Sequence, residues 1–133
     1  MGFSVMVTND YELIKSIIAR DDILPTLNHG EMPSMEQIMD DSIVYFYEPD
    51  VGLFPANVIG DHRLLMHVAI PKENRGKKAL KAARKLVKQL IDKGYTLLAR
   101  AVDKPHIKRF ITMIGAEHTG YDGKYHNYIL RGV

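Results

Sequence analysis

Apolar positions along this chain recur with two periods, helical and strand-like, and their order predicts alternating strands and helices. The longest helical stripe is Ala79, Leu80, Ala83, Leu86, Val87, Leu90 and Ile91, closed by Gly94, the residue type favoured just past a helix C-terminus. Residues 64–70 precede it as a strand, apolar except at His67 and stopped by Pro71, which has no N–H for a ladder. Between strand and helix lies a polar turn with Arg75-Gly76. The first amides of a helix have no intrahelical acceptor, and the aligned peptide dipoles make that end positive, so this turn is a candidate anion site.

The remaining pattern falls in order around this unit. Residues 3–8 form a first strand by β-branched and apolar content. Asn9 and Glu12 have capping-box spacing, and Tyr11, Leu13, Ile14, Ile17 and Ile18 carry the face of a first helix. Residues 21–31 form a loop, and Ser34 with Gln37 opens a short second helix to about residue 40. Residues 42–48 are a strand that turns at Pro49-Asp50 to pair with 51–54, and 55–61 lead into the central strand. Residues 95–102 are the strand after the basic helix, one right-handed crossover from 64–70 and parallel to it. A helix over 106–114 stops at Gly115, and strands 116–121 and 124–130 flank Asp122-Gly123, a strong hairpin signal.

The segment Val68-Ala69-Ile70-Pro71-Lys72-Glu73-Asn74-Arg75-Gly76-Lys77 resembles the fourth strand and pyrophosphate loop of the GNAT superfamily, the acyl-CoA N-acyltransferases. The order of elements is similar over nearly the whole chain, which implies one domain over 1–133. The implied fold is α/β: a mixed, mostly antiparallel sheet with a parallel central pair and helices on both faces. The implied co-substrate is acetyl-CoA, with an amine as acceptor. Its pantetheine arm would lie on the backbone of Val68, Ala69 and Ile70. The Arg/Gln-x-x-Gly-x-Gly/Ala loop that holds the diphosphate falls on Arg75, Gly76, Lys77, Lys78, Ala79 and Leu80. Lys78 replaces a glycine and Leu80 a small residue; a loop one residue shorter would instead bring Ala79 to the small position.

Residues 103–116 resemble the helix on which the superfamily often carries a proton-donating tyrosine, here replaced by Ile111. The combined pattern is similar to small GNAT-like proteins of tailed phages, and the ending to an internal virion protein of certain short-tailed phages. Two functions follow: an N-acetyltransferase, or a retained fold without chemistry, serving in a phage particle or as a binding module.

Composition changes this picture in few places. The 133 residues hold no cysteine, so disulfides, thiolate metal sites and a cysteine nucleophile are excluded. No apolar run nears the roughly 20 residues of a membrane-spanning helix, and no signal peptide is visible. The expectation is a cytoplasmic protein, in the host cytoplasm or the virion if phage-encoded. Residues 1–50 carry ten acidic against two basic side chains, and 51–133 carry sixteen basic against six acidic. An anionic ligand thus suits the second half and a cationic or amine partner the first, unless the two halves only neutralise each other. The basic helix has no aromatic residue to stack on a base, which argues against nucleic acid.

His67 is the only ionisable side chain within the central strand. A group titrating near neutrality can take the proton an attacking amine must lose, and His67 is the candidate catalytic base. It can equally be a hydrogen-bonded structural histidine. The six histidines show no metal-binding spacing, so no metal is assigned.

Overall fold

The computed structural model describes residues 6–26 and 30–132. Residues 3–5 of the expected first strand and residues 27–29 of the expected loop lie outside the described residues. The first strand begins in the described part as β1 (Met6–Thr8), and α1 (Tyr11–Ile18) follows. Its cap is Asp10, not Asn9: the Asp10 carboxylate accepts from Leu13 N–H, because it stands directly before the first helical residue. The capping box of α2 (Met35–Ile38) forms in both directions. Gln37 N–H donates to Ser34 Oγ, and Ser34 N–H donates to Gln37 Oε1.

β2 (Ile43–Glu48) pairs antiparallel with β3 (Gly52–Gly60). β3 runs on through Pro55, where the sequence predicted only a lead-in. Proline removes one donor, but its carbonyl still accepts from His67 N–H at 2.7 Å, and Tyr45 faces it across the β2 ladder. β4 (Arg63–Met66) is shorter than expected, ending four residues before Ile70. The lost Pro55 donor lies at His67, where β4 leaves the regular ladder. Contact with β3 resumes only at the single Leu53–Ala69 bridge.

α3 (Lys77–Asp92) crosses to β5 (Thr96–Val102), which is parallel to β4 as predicted. α4 (Pro105–Met113), β6 (Ala116–Tyr121) and β7 (Tyr125–Leu130) complete the chain. The hairpin turns at Asp122-Gly123, where the Asp122 carboxylate accepts from Lys124 and Tyr125 N–H. The sheet order is β1-β2-β3-β4-β5-β7-β6, with β4 and β5 the one parallel pair among the described strands.

Strand alternation divides the apolar residues between two cores. On one face Phe54, Ala56, Leu64, Met66, Leu97 and Ala99 pack with Ala79, Ala83, Leu86, Val87 and Leu90 of α3 and Ile111 of α4. Fully burying a side chain such as Leu86 or Val87 contributes about 1.5–3 kcal/mol, so this stripe fixes α3 far more firmly than propensity does. On the other face Leu53 and Ala69 pack with Ile14, Ile17 and Ile18 of α1 and Ile38 of α2. That second core lies over β2, β3 and the bridge at Ala69, which leaves the same face of β5 and β7 without a helix among the described residues. Among the described residues no helix is long and apolar enough to cross a membrane.

Candidate active site

β4 and β5 pair over only four residues, from Arg63–Thr96 to Met66–Ala99. Beyond that point each strand turns to its other neighbour. β5 continues along β7 through Val102, while Ala69 N–H and C=O bond Leu53 of β3. The sheet therefore splits between residues 67–70 and 100–102. Alternation points the Val68 backbone away from β3 and toward this split. Among the described residues neither its N–H nor its C=O has a protein partner, and its side chain is exposed. Of the three residues expected to hold a pantetheine arm, Val68 alone keeps both backbone groups open. Ala69 is committed to β3, and Ile70 C=O accepts from Arg75 Nε at 3.0 Å.

The helix start next to the split is open. Gly76 is the N-cap of α3, with no side-chain cap, and its φ of 122° suits glycine. A Cβ built there meets nothing within 4 Å. Leu80 N–H is already bonded to Gly76 C=O, so Leu80 cannot contribute an amide. That leaves the N–H groups of Gly76, Lys77, Lys78 and Ala79, the ordinary orphan donors of a first helical turn. Lys77 and Lys78 are exposed beside them, whereas the Ala79 side chain is core and Leu80 is half-buried against it. Lys78 thus takes no space from the loop, because its side chain leaves the helix outward.

Arg75 is tied to the protein's own backbone. Its Nε bonds Ile70 C=O and an NH2 nitrogen bonds Asp22 C=O, so the guanidinium braces the loop from behind. Arg20 and Asp22 continue this brace. Arg20 pairs with Asp22 at 3.0 Å and with Glu73 at 2.8 Å, and Asp22 accepts from Lys72 N–H. The Lys72 amide, followed by the Arg20 hydrogen bond, holds the Asp22 carboxyl down to about 2. Glu73 is therefore part of a tether from the end of α1 to the loop before α3.

His67 is half-buried on the strand face opposite α3, and its Nε2 lies 2.7 Å from Asn57 Oδ1. An amide oxygen only accepts, so Nε2 carries the proton and Nδ1 keeps its lone pair. Burial first, and the positive charge of Arg100 second, push the imidazole below its usual pKa. A neutral, fixed imidazole is what a base requires. On the same sheet face a cleft of about 150 Å³ is lined by Leu65, Leu98, Arg100, Thr119 and Asn127 among others, with His67 outside its lining.

No protein-family model matches the chain, and no curated protein sequence matches it either. Solved structures do. The chain is similar to an N-acetyltransferase from Staphylococcus aureus Mu50 with TM-score 0.71 at 14% identity, covering 96% of this chain and 92% of that one. The fold is the GNAT acetyltransferase fold. The GNAT fold recurs in the Campylobacter jejuni N-acetyltransferase PseH in complex with acetyl coenzyme A, with TM-score 0.63 at 14% identity over 96% and 98% of the two chains. It recurs in the spermidine N-acetyltransferase of Vibrio cholerae, with TM-score 0.65 at 13% identity over 96% and 90%.

Within this GNAT fold Ile111 is buried in the core under α4 and offers no proton. The sequence missed Asn57, which orients His67, and Arg100, which sits one strand away. The available signal was alternation, since Leu98 and Arg100 share one face of β5. It also missed a chain of polar contacts on the α4 face. Lys108 Nζ and His126 Nε2 lie 2.9 and 3.3 Å from Asp103 Oδ1, and His126 Nδ1 lies 2.9 Å from His118 Nε2. No group of three or more potential ligands could hold a metal among the described residues.

Proposed function

We propose that the protein is an acetyl-CoA-dependent N-acetyltransferase acting on an amine by direct transfer. One observation carries this reading: the parallel β4–β5 pairing stops at Met66–Ala99, beside a helix start with free amides. The structural neighbour PseH is described with acetyl coenzyme A in place, which supports the choice of thioester. Bound acetyl-CoA supplies an activated acyl group. The amides of Gly76, Lys77, Lys78 and Ala79, with the charge of the two lysines, hold its diphosphate. The open N–H and C=O of Val68 hold the arm in the split. His67 takes the proton of the attacking amine through Nδ1, while Asn57 keeps the ring in that tautomer. As the new C–N bond forms the C–S bond breaks, and the coenzyme A thiolate leaves and takes its proton from solvent. Most of the rate comes from holding amine and thioester in line, a contribution of about 7–11 kcal/mol in well-oriented systems.

A second reading keeps the fold without the chemistry, as in a virion-associated or binding protein. The braced Arg75 and the buried Ile111 favour it. Thermal unfolding with and without acetyl-CoA separates the two. A rise in Tm with ligand concentration, together with thiol release in the presence of amines, is expected for the enzyme. No rise at saturating acetyl-CoA favours the second reading.

A further inference from the structure

The cleft beside the split has an apolar floor and a cationic rim, and no acidic side chain lines it. Leu65 and Leu98 pave it. Two of its wall residues are placed by bulges: Ile59 where the β3–β4 register shifts between Val58 and Gly60, and Thr119 where the β6–β7 register shifts between His118 and Gly120. A bulge re-aims a side chain that the regular pleat would send elsewhere. Arg100 is exposed and is the first residue of β5 beyond the β4 ladder. It forms no ion pair among the described residues. Its charge reaches Asp122, but that carboxylate is committed to the hairpin amides of Lys124 and Tyr125 and to the Asn127 side chain.

Resting on the acyl-transfer reading, we propose that the acceptor is a small amine bearing an anionic group, a carboxylate or a phosphate, which Arg100 binds together with Thr119. With its diphosphate at the start of α3, a thioester arm passing through the split would deliver its acyl end to the opposite face, where this cleft is. The guanidinium fork matches the paired oxygens of either anion. The volume of about 150 Å³ is below the roughly 300–1,000 Å³ of drug-sized sites and restricts the acceptor to something of amino-acid size. A polyamine would place its ammonium groups against Arg100.

Calorimetric titration of the purified protein with L-serine, phosphoethanolamine, L-serinamide and spermidine tests this without any turnover. Serine or phosphoethanolamine is expected to bind at least about 10-fold more tightly than serinamide and spermidine. Binding of serine alone assigns a carboxylate, and of phosphoethanolamine alone a phosphate. Arg100→Ala should lose the preference and Arg100→Lys should keep part of it. Equal binding of serinamide, no binding of either anion, or an unchanged Arg100→Ala overturns the proposal. A Tm rise with acetyl-CoA but no anion preference leaves acyl transfer standing and removes this acceptor. Anion binding at Arg100 without any response to acetyl-CoA keeps an anion subsite but removes acyl transfer, and with it the acceptor proposed here.

Discussion

His67 and Arg100 stand one residue beyond the last β4–β5 pair, Met66–Ala99, on the same face of the sheet. Each is thus the first side chain on its own side of the split. The Arg100 charge adds to burial in keeping His67 neutral. A histidine whose folded pKa is depressed favours folding above its ordinary pKa of 6.5, and that contribution is lost as pH falls through the folded value. The imidazole titration followed by NMR should show a midpoint below 6.5 that moves upward in Arg100→Ala. His67→Gln should lower kcat about 100-fold with little change in acetyl-CoA affinity. A midpoint at or above 6.5, or an unchanged kcat, removes His67 as base.

Gly76 should matter more than its effect on stability. Both Gly76 and Gly94 have positive φ, 122° and 91°, and both face open space, so alanine strains the backbone at each. Such strain costs on the order of 1–3 kcal/mol. Only Gly76 adjoins the free amides of α3. Gly76→Ala should weaken acetyl-CoA binding about 10-fold or more, whereas Gly94→Ala should lower Tm and leave binding intact. Comparable binding by the two variants would place the diphosphate elsewhere.

Asp22 makes the loop before α3 sensitive to acid. Its carboxyl is lowered from 3.8 to about 2 by Lys72 N–H and Arg20. Its stabilising effect is therefore complete above pH 3.8 and disappears as pH falls toward 2. Asp22→Asn should unfold at lower temperature than wild type at pH 7, and the two curves should converge near pH 2. A difference that persists unchanged at pH 2 would show that the tether does not depend on the charge.

Gly115 has no room for a side chain. A Cβ would lie 2.4 Å from the Gly132 carbonyl, and φ at Gly115 is 90°. Gly115 C=O also accepts from Arg131 N–H at 2.8 Å, which ties the end of α4 to the chain after β7. Gly115→Ala should lower the unfolding free energy by about 2–4 kcal/mol in chemical denaturation. A loss under about 0.5 kcal/mol would mean the chain end simply moves aside.

The elements, the parallel crossover and the position of the helix start were legible in the sequence because each rests on local information. Apolar period separates α3 from β5, Ser34 and Gln37 cap α2 over three residues, and Asp122-Gly123 turns within its own hairpin. Tertiary structure decided what no local pattern contains. Pro55 remains in β3 because its carbonyl still finds His67 N–H. The Arg75 guanidinium is held by the carbonyls of Ile70 and of Asp22, the latter 53 residues away. Arg100 gains its place beside His67 because two strands separated by a whole helix part at the same level. Periodicity is set by neighbours along the chain, whereas the partners of a side chain are set by which distant segments the buried cores bring together.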